Sequence, residues 1–202
     1  NNNRKTHAGS PTNSGTFDGG DLAGARQLTT VNTITYSRES TSSNIDMRFN
    51  TSIWEYIGPS GGSNEIIVRG RYAIALNGAT NNATETLTGI TNANKCIPFI
   101  TGIMNNTTAQ DADSGTALAY LENATTLRVQ KGSNGNNVTV YITLVEFTGS
   151  NWTVLHGKSG NVNGDTGIIT LRDGSEGTGT SSDVSSWSEA AIFSHFRADT
   201  NS

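Results

Sequence analysis

The chain has 202 residues, a formal net charge of −4 and a pI near 5.3, with 33% hydrophobic and 15% charged residues. That length holds one large domain with a real core, and low net charge with clustered apolar residues argues against a disordered chain. An acidic balance without any run of Lys or Arg argues against a nucleic-acid partner, and no stretch of about 18 apolar residues is present to cross a membrane as a helix.

Residues 1–10 lack the apolar core of an intact signal peptide, and the chain reads as a processed form or an excerpt of a longer polypeptide. Residues 1–27 are rich in Gly, Ser, Asn and Thr, with Phe17 and Leu22 as scattered apolar groups. Glycine here disfavours a regular element, so an extended N-terminal arm is expected, ahead of a β domain over 28–202. Alternation then predicts strands over 29–36 and 45–57. Gly58-Pro59-Ser60-Gly61-Gly62 is a turn, because proline fixes φ and the glycines admit positive φ. A long strand comes next over 65–76, with Gly70 marking a bulge or a close approach. Weaker or shorter strands are expected over 84–90, 97–104 and 125–130, and 117–122 has the composition for one turn of helix.

Asn134-Gly135 reads as the tight turn of a hairpin leading into the strongest strand, 137–147. There Val138, Val140, Ile142 and Leu144 share one face and Thr139, Tyr141, Thr143 and Val145 the other. A turn at 148–150 returns the chain as a strand over 151–155, and strands over 167–171 and 190–196 complete the set. About nine or ten short strands with no sustained helical period give an all-β class, an antiparallel β-sandwich of jelly-roll or related Greek-key type.

Few residues carry recognisable chemistry. Cys96, the only cysteine, sits among Ile97, Pro98, Phe99 and Ile100 and reads as a buried thiol. His7, His156 and His195 fall in no metal or triad motif. Glu55, Glu65, Glu122 and Glu146 could in principle supply the two acids of a glycosidase, but Glu146 reads as an outward residue near a strand end. Asp111, Asp113 and Glu122 occupy positions 1, 3 and 12 of a calcium loop. Gly115 and Thr116 break that pattern at positions 5 and 6, leaving the three as weak metal candidates. Asp18, Asp21 and Asp165 are ordinary turn residues. Asn-x-Ser/Thr occurs at Asn50, Asn82, Asn105, Asn106, Asn123, Asn137 and Asn151, and matters only where a host glycosylates. Trp54, Trp152 and Trp187 suit an interface or a core anchor, and would form a sugar platform if exposed.

The pattern Val145-Glu146-Phe147-x-Gly149-x-x-Trp152-x-Val154, within 138–157, resembles β-hairpins in structural proteins of tailed bacteriophages. The resemblance covers about a tenth of the chain, and the Thr/Asn/Gly-rich style of the remainder is similar. It implies a virion component (capsid decoration, tail or fibre type), located in the virion or outside cells. Its partners would be copies of itself and other virion proteins, with a host-surface glycan as a further one. No catalytic residue and no cofactor come with it, and no enzymatic role is expected. Interface candidates are Phe17, Leu22, Trp54, Trp152 and Trp187. The alternatives are a cell-surface adhesin, filament subunit or carbohydrate-binding module, marked by an exposed aromatic platform, and a polysaccharide-active enzyme, marked by a cleft with two carboxylates.

Overall fold

A computed structural model describes residues 24–30, 32–38, 51–105, 116–132, 134–135, 137–159 and 168–197. Most of the expected arm, with Phe17 and Leu22, lies outside the described residues, as does the 45–50 part of the second expected strand. The last four positions given to the arm, 24–27, are strand.

The fold is all-β. Eight strands are described: β1 Gly24–Thr30, β2 Thr33–Arg38, β3 Ile67–Leu76, β4 Asn82–Thr86, β5 Cys96–Asn105, β6 Ala117–Asn123, β7 Thr126–Lys131 and β8 Val138–Glu146. They form two antiparallel sheets, a five-stranded one ordered β2-β1-β5-β8-β3 and a three-stranded one ordered β4-β7-β6. Period-2 alternation builds both. Leu127, Val129 and Lys131 of β7 are buried while the residues between them are half-buried, and Val138, Val140, Ile142 and Leu144 of β8 are buried in the same way. The apolar ones join Ile74, Leu76, Cys96, Ile103, Ala117, Ala119 and Leu121 in one hydrophobic cluster that draws on both sheets.

Several sequence expectations are corrected. The segment 117–122 is not helical: Ala117, Ala119 and Leu121 are buried at alternate positions of β6, which pairs with β7 across a turn at Ala124-Thr125. The expected strand 29–36 is the hairpin β1–β2. The Asn134-Gly135 turn does not close a hairpin, since β7 and β8 belong to different sheets. Gly135 does take positive φ (115°), and its N–H donates to Gly78 O at 2.7 Å in the crossing between them.

The return strand over 151–155 does not form either. Both edges of β8 are occupied, by β3 on one side and β5 on the other, so no ladder position is left for it. The chain instead lies along 63–65, with Gly149 N donating to Glu65 O and Asn151 N to Ser63 O, both at 2.9 Å. Among the described residues 51–57, 168–171 and 190–196, no strand forms. The long strand at 67–76 is present, and its register with β8 shifts between Val68 and Gly70, as the glycine suggested.

Candidate aromatic cleft

Residue pairing sets the two faces of the large sheet. Phe99 pairs with Thr143, so it points away from the core face that holds Ile142. Phe147 continues that outer face beyond the end of β8, where its N–H donates to Lys95 O at 2.9 Å. Segments without strand structure bring further rings onto the same face. Trp54 meets Phe99 edge-on at 5.7 Å and stacks on Phe193 at 6.2 Å, and Phe193 meets Phe99 edge-on at 5.0 Å. Trp152 meets Phe147 edge-on at 5.2 Å, and Phe147 lies 6.4 Å from Trp54. Such pairs are worth about 0.5–1.5 kcal/mol beyond the area they bury, and here they form a continuous network from Trp54 to Trp152.

The two indoles remain open to solvent, Trp54 by 53% and Trp152 by 38%. They line an open cleft of ≈ 420 Å³ together with Glu55, Tyr56, Asn64 and Ile66. A volume of this size lies within the range of about 300–1,000 Å³ usual for small-ligand sites.

The expected turn at 58–62 builds one wall. Tyr56 Oη donates to Pro59 O at 2.9 Å, and Gly62 N donates to the same carbonyl at 3.0 Å. A Cβ on Gly62 would lie 2.1 Å from the Tyr56 hydroxyl, so glycine there gives the ring its place. Glu65 ties this wall to the next. Its carboxylate accepts from Thr148 Oγ1 at 2.6 Å and from Gly61 N at 3.0 Å. The Thr148 hydroxyl first, then the Gly61 amide, hold the Glu65 carboxyl below its ordinary range. Asn151 Nδ2 donates to Asn64 Oδ1 at 2.9 Å across the lip. Hydrogen bonds between 63–65 and 148–151 therefore hold Asn64 and Trp152 in fixed relation.

The remaining sequence candidates take structural places. Glu146 is fully buried, which corrects its outward assignment. Its carboxylate accepts from Arg69 Nε at 2.6 Å, Asn92 N at 2.6 Å, Thr91 N at 3.2 Å and the Thr91 hydroxyl. Burial pushes its carboxyl up, but the Thr91, Asn92 and Arg69 donors outweigh that, and it sits below its ordinary range. Cys96 is buried beside it; burial first, then the Glu146 charge, push the thiol up to about 12. Glu122 pairs with Arg128, while Asp111 and Asp113 lie outside the described residues. Among the described residues no cluster of His, Cys, Asp and Glu could hold a metal ion.

His156 Nε2 bonds to Asn94 O at 3.0 Å and His195 Nε2 to Ala119 O at 2.7 Å, both anchoring loops, and His7 lies outside the described residues. Trp187 opens a short 3-10 turn, Trp187–Glu189. The fold brings Trp54 and Trp152 together in one cleft. Sequence reasoning missed Tyr56, Asn64 and Ile66 as their companions. The turn glycines beside Tyr56 were a usable signal, whereas Asn64 is hidden in an Asn-rich composition.

Compared with known proteins, the chain matches no family model, no curated protein and no solved structure.

Proposed function

We propose that the protein is a non-enzymatic structural subunit of an extracellular assembly, a bacteriophage virion component of decoration, tail or fibre type. In this reading the two sheets make a β-sandwich of jelly-roll or related Greek-key type, and residues 1–23 act as an arm on neighbouring copies. The crossings from β3 to β4, β4 to β5, β5 to β6 and β7 to β8, which pass between the sheets, support a sandwich.

One observation carries the assembly reading. Ile57, Ile168 and Ile192 are 90%, 94% and 88% exposed, each on a segment that pairs with no strand. Burying a large aliphatic side chain contributes about 1.5–3 kcal/mol, so each of these nearly bare isoleucines would gain from contact with further protein. Copies of the same chain, related by closed symmetry, are the occupants proposed. Glu65, Glu122 and Glu146 are engaged in structural bonds, and among the described residues Glu55 is the one carboxylate lining the cleft. A glycosidase needs two acids flanking one bond.

Light scattering on the eluting full chain, with electron microscopy of the same fractions, tests this. The wild type is expected to form a defined oligomer, and the combined Ile57→Asp, Ile168→Asp and Ile192→Asp variant a monomer with unchanged melting. A wild-type chain that stays monomeric at high micromolar concentration overturns the proposal, as does a variant that assembles equally well.

A further inference from the structure

We infer that the cleft between Trp54 and Trp152 binds a neutral hexopyranose oligosaccharide. The apolar face of a sugar ring would lie on an indole, and its hydroxyls would bond to the Asn64–Asn151 amide pair.

Three features select this ligand class over an apolar side chain or a cation. The first is the pair of half-open indoles. Each makes a T-shaped contact, with Phe99 or Phe147, while solvent still reaches it. Rings already held by their neighbours lose little freedom when a ligand stacks on them.

The second is the amide pair. Among the described residues, the 2.9 Å bond from Asn151 Nδ2 to Asn64 Oδ1 is the sole hydrogen bond of either side chain. It leaves both N–H donors of Asn64 and the carbonyl oxygen of Asn151 open to a ligand. A hydroxyl donates and accepts, and so matches this pair. A quaternary ammonium has no N–H to give the carbonyl and cannot accept from the amide. An apolar side chain seated there would bury amide groups without partners, which is costly.

The third is preorganisation. The bonds Gly149 N to Glu65 O, Asn151 N to Ser63 O and Thr148 Oγ1 to Glu65 Oε2 fix the amide pair and Trp152 on a rigid frame before any ligand arrives. A chain that assembles and one that does not can both carry such a cleft, so failure of the oligomer test leaves this inference standing.

The test titrates the full chain with cellohexaose, chitohexaose and mannohexaose, and separately with choline chloride as a cationic probe. Tryptophan fluorescence and calorimetry report binding. At least one hexasaccharide is expected to give a saturable change at micromolar to millimolar concentration, and choline none. Trp152→Ala is expected to weaken that binding about tenfold or more, the scale of losing one stacked ring, with Trp152→Phe retaining part of it. Because Trp152 also packs on Phe147, Asn64→Ala serves as the second variant. It changes an exposed side chain and is expected to weaken binding several-fold with unchanged melting. The inference is overturned if no hexasaccharide saturates, if choline binds instead, or if Asn64→Ala and a folded Trp152→Ala both bind like wild type.

Discussion

Glu146 shows how much one side chain can hold together in this fold. It ends β8, lies opposite Cys96 of β5, and takes bonds from Arg69 of β3 and from the loop at 91–92. That loop leads into the 3-10 turn Ala93–Lys95, whose Asn94 in turn receives Ser175 N at 3.0 Å through Oδ1 and meets His156 through its carbonyl. A buried carboxylate therefore links the sheet to the loop that anchors 156 and 175. Its carboxyl sits below the ordinary range when folded. Its stabilisation is thus complete above the carboxylate range of the unfolded chain and is lost as pH falls through the folded value. Glu146→Gln is expected to lower stability at neutral pH by about 3–5 kcal/mol, the usual cost of removing one partner of a buried ion pair. Melting curves of the variant should also show a weaker acid dependence than wild type. Equal acid dependence would remove Glu146 as the group responsible.

At the scale of the element, β8 has both neighbours fixed, and this sets the path of the segment after it. A strand flanked on both edges cannot start a hairpin, so the chain after Phe147 turns at Gly149 and runs beside 63–65. Gly149 is required by that close approach: a Cβ there would lie 2.3 Å from Ser63 O and 2.6 Å from Glu65 N, both backbone atoms that cannot swing aside. Gly149→Ala should destabilise the protein by about 1–3 kcal/mol through overpacking. It should also raise proteolytic cleavage near residues 148–152, because the bonds to Ser63 and Glu65 are the ones strained. Cleavage and denaturation midpoints equal to wild type would show that the backbone absorbs the methyl group.

For the whole molecule, the shared core sets the expectation. Leu127 and Val129 of the small sheet and Val140, Ile142 and Leu144 of the large one are all buried in a single cluster. Neither sheet can lose its partner without exposing its own apolar face to water, so unfolding should be one transition. Leu127→Ala, at a fully buried site of the small sheet, should cost about 2–5 kcal/mol. It should also shift the melting of probes on both sheets together. Separate transitions for signals from β7 and β8 would show two independently stable halves.

Local alternation was legible wherever a strand has one buried face. It identified the β class, β3 with its bulge, most of β5, and the core face of β8, because a period of two is written directly into the residues. It failed at 117–122, where two alanines and a leucine carry the alternation too weakly to be told from a helical turn. The tryptophans were legible as candidates, but not as a site. Trp54 and Trp152 lie far apart in sequence, and nothing local says which rings share a cleft. That choice comes from β8 being a central strand. With both of its edges taken, the segment carrying Trp152 is forced beside 63–65, where Asn64 and Trp54 already stand. Residue order alone thus determined the β class, the strands β3 and β8 with their buried faces, and which rings were available. Strand neighbourhood, a property of the whole fold, decided which rings came together.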